Sequence, residues 1–175
     1  MEFAGGSGQG AFPSGCDRMG PIYLEKIPTA EMPAAMNKRP AGREREPDRI
    51  SVAMATYNGE KYIREQLDSI ARQSLLPYEL VVTDDGSTDG TLEMVEDFAR
   101  SAPFPVKIHR NDVRLGFADN FFKAASLCEG ELIAFSDQDD VWLEDKLSVC
   151  SSHFVDPDVF LVAHSAWTLL ASGER

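Results

Sequence analysis

Short apolar segments recur along the chain at a regular interval, and this rhythm restricts the fold more than any other feature. Buried strands are predicted at residues 50–55, 80–83, 106–108, 132–135 and 159–163. They begin roughly 25 to 30 residues apart, which leaves room for one helix between each pair. Alternating strands and helices of these lengths are typical of a parallel sheet covered on both faces. The sequence therefore predicts an α/β fold with a mostly parallel sheet.

The segments between the strands carry apolar residues at helical spacing. Helices are predicted over residues 60–74, 92–99, 118–125 and 144–154. In the third helix, the predicted buried stripe consists of Ala118, Phe121, Phe122 and Ala125. The region from Ile50 onward is long enough to bury roughly 65% of its unfolded surface, which suffices for one stable domain.

The first 49 residues show neither a helical nor a strand period. They contain seven Gly and six Pro, and Gly5–Gly10 has the composition of a flexible linker. We expect residues 1–49 to be a disordered leader and residues 50–175 to form the folded domain. Met36 stands shortly before the folded region and is an alternative start of the chain.

Charge and composition exclude several classes of protein. The net charge of −12 lies entirely in residues 50–175, because residues 1–49 carry seven basic and seven acidic side chains. An acidic domain is a poor partner for nucleic acid or anionic lipid. No apolar run approaches the length of a membrane helix, and the opening residues do not form a signal peptide. Three widely spaced cysteines predict neither a disulfide framework nor a zinc site. We therefore expect a cytoplasmic protein, and any association with a membrane would be peripheral, at the inner membrane face.

Carboxylates gather where the predicted strands end. Asp84 and Asp85 follow the second strand, and Asp137, Asp139 and Asp140 follow the fourth. Ligands of open parallel sheets bind at this edge. Carboxylates so close together raise one another's pKa unless a cation lies between them, and Mg²⁺ or Mn²⁺ bound to one or two carboxylates and to phosphate would meet that need. With few Lys or Arg expected here, a bound diphosphate would be neutralised largely by metal.

Some of these residues also have a purely structural interpretation. Asp84, Asp89 and Asp140 could each cap the following helix, and Tyr57 could be a packing residue. Trp142 is expected to anchor the core below the loop rather than to contact a ligand. The sequence contains neither the dinucleotide-binding glycine motif nor a P-loop, which argues against those two classes of phosphate-binding enzyme.

Three segments together resemble the family 2 glycosyltransferases. They are Ile50–Gly59 (ISVAMATYNG), Asp84–Thr91 (DDGSTDGT) and Phe135–Trp142 (FSDQDDVW), which occur in the order and at the spacing of that family. The last of these segments and Arg110–Asn120 (RNDVRLGFADN) are most similar to the rhamnosyltransferase-like branch, which acts on bacterial surface polysaccharides. The resemblance covers about residues 48–170 and implies the nucleotide-sugar-binding GT-A fold, which is Rossmann-like.

The resemblance also implies roles for particular residues in binding the nucleotide. Ala55, Thr56 and Tyr57 would line the base and ribose, with Tyr57 contributing its ring. Asp85 would accept a hydrogen bond from the pyrimidine, and Arg114 would reach the nucleotide or its phosphates. The donor would be a UDP- or dTDP-sugar, and the acceptor a saccharide or a lipid-linked saccharide.

The resemblance further implies a metal site and a reaction. Asp137 would approach the ribose and the metal, and Asp139 would bind the Mg²⁺ or Mn²⁺ ion that bridges the donor diphosphate. The family inverts the configuration at the anomeric carbon in a single in-line displacement, and an Asp or Glu acts as the base that deprotonates the acceptor hydroxyl. The sequence does not name the donor sugar, the base of the nucleotide or the acceptor.

Two other classes of function remain as alternatives. Asp137–Val141 also fits the nucleophile motif of haloacid-dehalogenase-like phosphatases, although the downstream Lys and acidic pair of that fold are not recognisable. A non-catalytic module that binds nucleotide sugar is the second alternative.

The catalytic base is missing from the sequence pattern. After Asp145, the acidic residues are Asp156, Asp158 and Glu174, and none is expected near the acceptor hydroxyl. We therefore expect a GT-A domain that is incomplete at its C-terminus, either truncated or completed by another polypeptide. The unpaired sheet edge of such a domain would favour aggregation.

Overall fold

A computed structural model describes residues 49–156 and 158–166, and the predicted leader lies outside these residues apart from Arg49. Within the described residues, four strands alternate with four helices, and a 3₁₀ helix at His153–Val155 follows the last of them. The elements are β1 (Ile50–Thr56), α1 (Ile63–Ala71), β2 (Glu79–Asp84), α2 (Thr91–Ala99), β3 (Val106–Arg110), α3 (Phe117–Ser126), β4 (Leu132–Ser136) and α4 (Lys146–Ser152). The predicted order of elements is confirmed up to α4.

The four strands form one sheet in the order β3-β2-β1-β4, and all of its pairs are parallel. The chain proceeds from β1 outward to β3 and then returns to place β4 on the other side of β1. The carboxyl ends of β1 and β4 therefore flank a topological switch point, which is where open α/β sheets bind ligands.

Side chains that alternate along the strands pack against helices on both faces. On one face, Val52, Met54, Leu80 and Val82 form the main core with apolar side chains of α1 and α2. Trp142 belongs to the same core, as predicted. On the other face, α3 lies against β1 and β2. The expectation of helices on both faces is confirmed.

Polar contacts hold the amino ends of the strands together. Glu79, at the start of β2, is buried and accepts hydrogen bonds from Ser51 Oγ at 2.7 Å and from the backbone N–H of Glu129 at 2.6 Å. Lys107 Nζ, on β3, lies 2.8 Å from the same carboxylate. Gly130 N–H donates to Ser51 Oγ, which brings the start of β4 into the network. This network fixes the strand starts and leaves the opposite edge free for a site.

The buried face of α3 differs from the predicted stripe. Asn120, Phe121 and Ala124 are buried, whereas Phe122 is 68% exposed. The reason is polar: the Asn120 amide donates to the carbonyl of Thr83 at 2.9 Å, and this bond turns the Asn120 face toward the sheet. The spacing of the apolar residues alone predicted the position of the helix in the chain correctly, but it predicted the wrong buried face.

The predicted fifth strand is wrong for the described residues. Residues 158–166 contain one isolated bridge residue, Ala163, and Phe160 is 63% exposed. A strand exists only where a neighbouring strand takes its backbone hydrogen bonds, and apolar composition does not supply that neighbour. Within the described sheet β4 is an edge strand, and Phe135 on it is 53% exposed. In the part of the chain that the structure describes, no helix is long and apolar enough to cross a bilayer.

Candidate functional site

Asp84 is part of the turn that follows β2. Its side chain is fully buried and accepts hydrogen bonds from Thr56 Oγ1 at 3.0 Å, from the backbone N–H groups of Gly86 and Ser87, and from the Ser87 hydroxyl. Gly86 has a φ of +87°, a conformation that glycine adopts without strain. Asp84 therefore has a structural role in this turn rather than as the predicted cap of α2, and it holds the end of β2 against the end of β1.

Asp85 holds the loop between β3 and α3. Oδ1 accepts hydrogen bonds from Leu115 N–H at 2.6 Å and from Asn111 Nδ2 at 3.0 Å, and Oδ2 accepts one from Gly116 N–H at 2.8 Å. Burial acts to raise the pKa of the carboxyl, but these hydrogen bonds and the Arg114 guanidinium together lower the pKa below its usual value. Asp85 is therefore an anion held in place by residues 111–116.

The loop that Asp85 holds brings two arginines to the strand ends. The Arg114 guanidinium carbon lies 3.9 Å from the centroid of the Tyr57 ring, which is a cation–π contact. Arg114 and Arg110 line an open cavity of about 450 Å³; Tyr57, Asp85, Gly86, Asn111 and Asp112 complete the lining. The expectation of few basic side chains at this edge is wrong, because β3 delivers Arg110 at its own carboxyl end and the loop folds Arg114 back over Tyr57. A diphosphate bound at this edge would therefore meet the positive charge of two arginines.

A buried amide network supports this loop from below. Asn111 Nδ2 donates to Asn120 Oδ1 at 2.9 Å, and Lys123 Nζ donates to Asn111 Oδ1 at 2.8 Å. Asn120 is itself bonded to Thr83 on β2. The apolar pattern of the sequence does not single out these residues, although an Asn beside a buried position of a helix is a signal of such a bond. The network connects the sheet to the cavity wall.

The carboxylate loop lies beyond β4, on the other side of the switch point. Asp137 is half-buried, and Asp139 and Asp140 are exposed. Burial raises the pKa of the Asp137 carboxyl, and the negative charges of Asp139 and Asp140 raise it further. No three His, Cys, Asp or Glu side chains among the described residues converge on a common point.

The donor chemistry of this loop fits a cation shared with a phosphate ligand. Mg²⁺ and Mn²⁺ use oxygen ligands, commonly one or two carboxylates, and take the remaining ligands from phosphate and water. Burial first, and the charges of Asp139 and Asp140 second, raise the pKa of Asp137, and a cation beside it would favour the ionised carboxylate. Asp137 and Asp139 are the residues that would hold it.

The predicted site residues fall into three groups. Tyr57, Asp85 and Arg114 come together around the cavity. Asp137 and Asp139 lie in the adjacent loop and do not line that cavity. Ala55 and Thr56 are buried in β1, where Thr56 Oγ1 is bonded to Asp84 rather than directed at the cavity. The ligand roles of all these residues stay predictions.

The sheet, its order and the position of the cavity define an α/β protein of the GT-A, Rossmann-like type. The sequence profile of glycosyl transferase family 2 matches residues 51–167, and the chain belongs to that family. The phosphatase alternative is therefore wrong.

Relatives and solved structures agree with this assignment. The chain is 43% identical over 98 residues to the dTDP-rhamnosyl transferase RfbG of Shigella flexneri, an alignment that covers 54% of this chain and 34% of RfbG. The crystal structure of S. aureus TarS 1-349 in complex with UDP is 37% identical, with a TM-score of 0.55, and the match covers 62% of this chain and 32% of that one.

The mannosyltransferase PcManGT from Pyrobaculum calidifontis, in complex with GDP-Man and Mn²⁺, is 30% identical with a TM-score of 0.60. The match covers 70% of this chain and 38% of PcManGT. The chain spans about a third of the length of the curated relatives it matches, with shares of 34% for RfbG and for the abequosyltransferase RfbV.

Proposed function

We propose that this chain forms the donor-binding part of an inverting glycosyltransferase that acts in bacterial surface polysaccharide synthesis. The donor is a UDP- or dTDP-sugar, and the acceptor is a saccharide or a lipid-linked saccharide. The single observation that carries the proposal is the cavity between Tyr57, Asp85 and the two arginines, because it adjoins a carboxylate loop at the switch point of a sheet in a family 2 chain.

The nucleoside binds beside Tyr57. An aromatic ring at the mouth of a cavity offers a surface on which a base stacks, and Arg114 now covers that ring at 3.9 Å. Asp85 Oδ2 accepts one hydrogen bond within 3.5 Å, from Gly116 N–H, and has capacity for a second, from a pyrimidine N–H. Ala55 and Thr56 support this side of the site from β1, where they are buried behind the cavity lining.

The diphosphate lies between the arginines and the carboxylate loop. Arg110 and Arg114 supply positive charge from one side, and Asp137 and Asp139 hold a Mg²⁺ or Mn²⁺ ion on the other. When bound, that ion acts as a Lewis acid on the leaving nucleoside diphosphate. The acceptor hydroxyl is deprotonated by an acidic residue that neither the sequence nor the described structure identifies.

Calorimetric titration of UDP, dTDP and GDP, with and without Mn²⁺, tests the proposal on this chain directly. We expect one pyrimidine nucleotide to bind, and to bind at least about tenfold more tightly with Mn²⁺. Asp139→Ala should remove this difference and leave the circular dichroism spectrum unchanged, because Asp139 is exposed. Binding that is equal in Mn²⁺ and in EDTA would contradict the metal role, and no binding of any nucleotide would contradict the proposal.

Turnover distinguishes an enzyme from a module that only binds donor. A donor-hydrolysis and transfer assay with the same nucleotide sugar should detect negligible transfer by this chain alone, because general base catalysis and acceptor positioning are worth several orders of magnitude. Robust transfer that is lost in Asp139→Ala would show that the base is present in the chain.

A further inference from the structure

The side chain of Gln138 joins the two loops that flank the switch point. Its Oε1 accepts a hydrogen bond from the backbone N–H of Tyr57 at 2.9 Å, and its Nε2 donates to the backbone carbonyl of Tyr57 at 3.1 Å. One amide thus pairs with both polar backbone groups of one residue. Such a two-point contact fixes the orientation of the two loops relative to each other as well as the distance between them.

The position of Gln138 in the sequence gives this contact its importance. Gln138 stands between Asp137 and Asp139, the two carboxylates placed at the metal, and Tyr57 is the residue placed at the nucleoside. The contact therefore spans 81 residues of sequence to connect the two halves of the proposed donor site.

Gly59 provides a second, independent observation. A Cβ added to Gly59 would lie 2.3 Å from Gln138 Oε1 and 2.5 Å from the amide carbon. The backbone of Gly59 does not have a positive φ, so its conformation does not require glycine. The need for glycine here comes from the amide that packs against it.

The other anchors of the two loops show what the contact controls. The loop after β1 is also tied to the β2–α2 loop, because Asn58 N–H donates to Ser87 Oγ and Gly59 N–H donates to Thr91 Oγ1. Gln66 holds the carboxylate loop at two points, because its amide oxygen accepts a hydrogen bond from Ser136 Oγ at 2.7 Å and its NH₂ group donates to the backbone carbonyl of Asp140 at 2.7 Å. Trp142 N–H, at the end of the loop, donates to Ser69 Oγ. Gln138 fixes the segment between Ser136 and Asp140, which carries Asp137 and Asp139.

We propose that Gln138 is a positioning residue that holds the carboxylates of Asp137 and Asp139 in register with the nucleoside side of the donor site. Metal and nucleotide then bind cooperatively, because the ion and the base meet loops that are already held in a fixed position relative to each other. This inference rests on the proposed function. It predicts that loss of the contact weakens the coupling between metal and nucleotide more than the affinity for nucleotide alone.

The experiment compares Gln138→Ala, Gly59→Ala and the double variant with the unchanged chain. The affinity for UDP and for dTDP is measured by calorimetry with Mn²⁺ and with EDTA, and the ratio of the two dissociation constants is the coupling. Gln138→Ala removes the amide, and Gly59→Ala displaces it from the other side. We expect each to reduce the coupling by roughly five- to tenfold, the effect of losing one or two hydrogen bonds. The double variant should be no worse than Gln138→Ala, because the added methyl then meets no amide.

Gly90→Ala is the matched control. Its added Cβ would lie 2.9 Å from Glu60 Oε1, so it makes a similar steric demand on a flexible side chain away from Gln138. This variant should keep the full coupling. Hydrogen exchange of the Tyr57 amide without ligand should accelerate in Gln138→Ala and stay unchanged in Gly90→Ala, which reports the contact without reference to activity.

The outcomes separate this inference from the proposed function. If the unchanged chain binds nucleotide more tightly with Mn²⁺ and the Gln138 and Gly59 variants retain that ratio, the positioning role is refuted and the proposed function stands. If the unchanged chain binds nucleotide equally well with Mn²⁺ and with EDTA, the metal role and the positioning role are refuted together, and if it binds no nucleotide, the proposed function is refuted as well. Additive losses in the double variant would show that Gly59 does not act through Gln138, which overturns the argument as well.

Discussion

Asp85→Asn tests whether one carboxylate organises the cavity wall. In the native chain both carboxylate oxygens accept hydrogen bonds from the β3–α3 loop. An amide in this position must turn its NH₂ group toward existing donors. The orientation that costs the least turns the NH₂ group toward Gly116 N–H, because one hydrogen bond is lost on the Oδ2 side and two would be lost on the Oδ1 side.

The structure gives the size of the effect. One charge-assisted hydrogen bond is lost, worth about 1.5–3 kcal/mol, and the two that remain, from Leu115 and Asn111, become neutral and weaker. The loop should therefore be destabilised by about 2–4 kcal/mol. Because about 1.4 kcal/mol corresponds to a factor of ten, the amides of Leu115 and Gly116 should exchange roughly 30-fold to several hundredfold faster.

Hydrogen exchange followed by NMR measures both amides directly. Asp112→Asn is the matched control, because Asp112 is an exposed carboxylate in the same loop and the substitution makes the same change in charge. Nucleotide affinity should fall in Asp85→Asn, since the carboxylate that accepts the pyrimidine N–H is lost and the cavity wall formed by residues 111–116 is loosened. Unchanged exchange at Leu115 and Gly116 would refute the argument that Asp85 holds the loop.

The pH dependence of exchange provides a further check on Asp85. The hydrogen bonds lower the pKa of Asp85 in the folded chain, despite the opposing effect of burial. A lowered folded pKa means that the stabilisation is complete above the unfolded pKa of about 4 and is lost as the pH falls through the folded value. The loop should therefore open in acid in the unchanged chain, and the Asp85→Asn variant should lack this acid transition.

Three other predictions concern the scaffold. Burial acts to raise the pKa of Glu79, but its hydrogen bonds with Lys107, Glu129 and Ser51 lower the pKa overall. Glu79→Gln should therefore lower the melting temperature by roughly 5 °C at pH 7. The difference in melting temperature should shrink below about pH 4.5, where the native carboxylate becomes protonated. A difference that grows in acid would contradict this. Asn120→Leu should cost about 1–3 kcal/mol in urea denaturation, because the Thr83 carbonyl loses its donor; an unchanged midpoint would show the bond to be dispensable. Phe135→Ser should reduce self-association in sedimentation velocity, since Phe135 is an exposed aromatic on an edge strand; an unchanged distribution would place the contact elsewhere.

The sequence by itself determined the elements and the edge at which the site lies. The strand–helix rhythm predicted all four strands of the sheet to within a few residues, because each strand contains a short apolar segment between helical segments, and β1 and β2 are buried along their whole length. It also predicted that Trp142 belongs to the core. These features depend on neighbours close in the chain, which a local pattern records.

Only the tertiary structure decided what the residues at that edge do. Asp84 and Asp85 are adjacent and chemically identical, yet one is bonded to its own turn and the other to a loop about 30 residues away. The sequence did not indicate that Arg114 covers Tyr57, nor that the Gln138 amide reaches Tyr57 across 81 residues. The order of the strands in the sheet sets these distances, and residues brought together in this way share no period or spacing that the sequence could reveal.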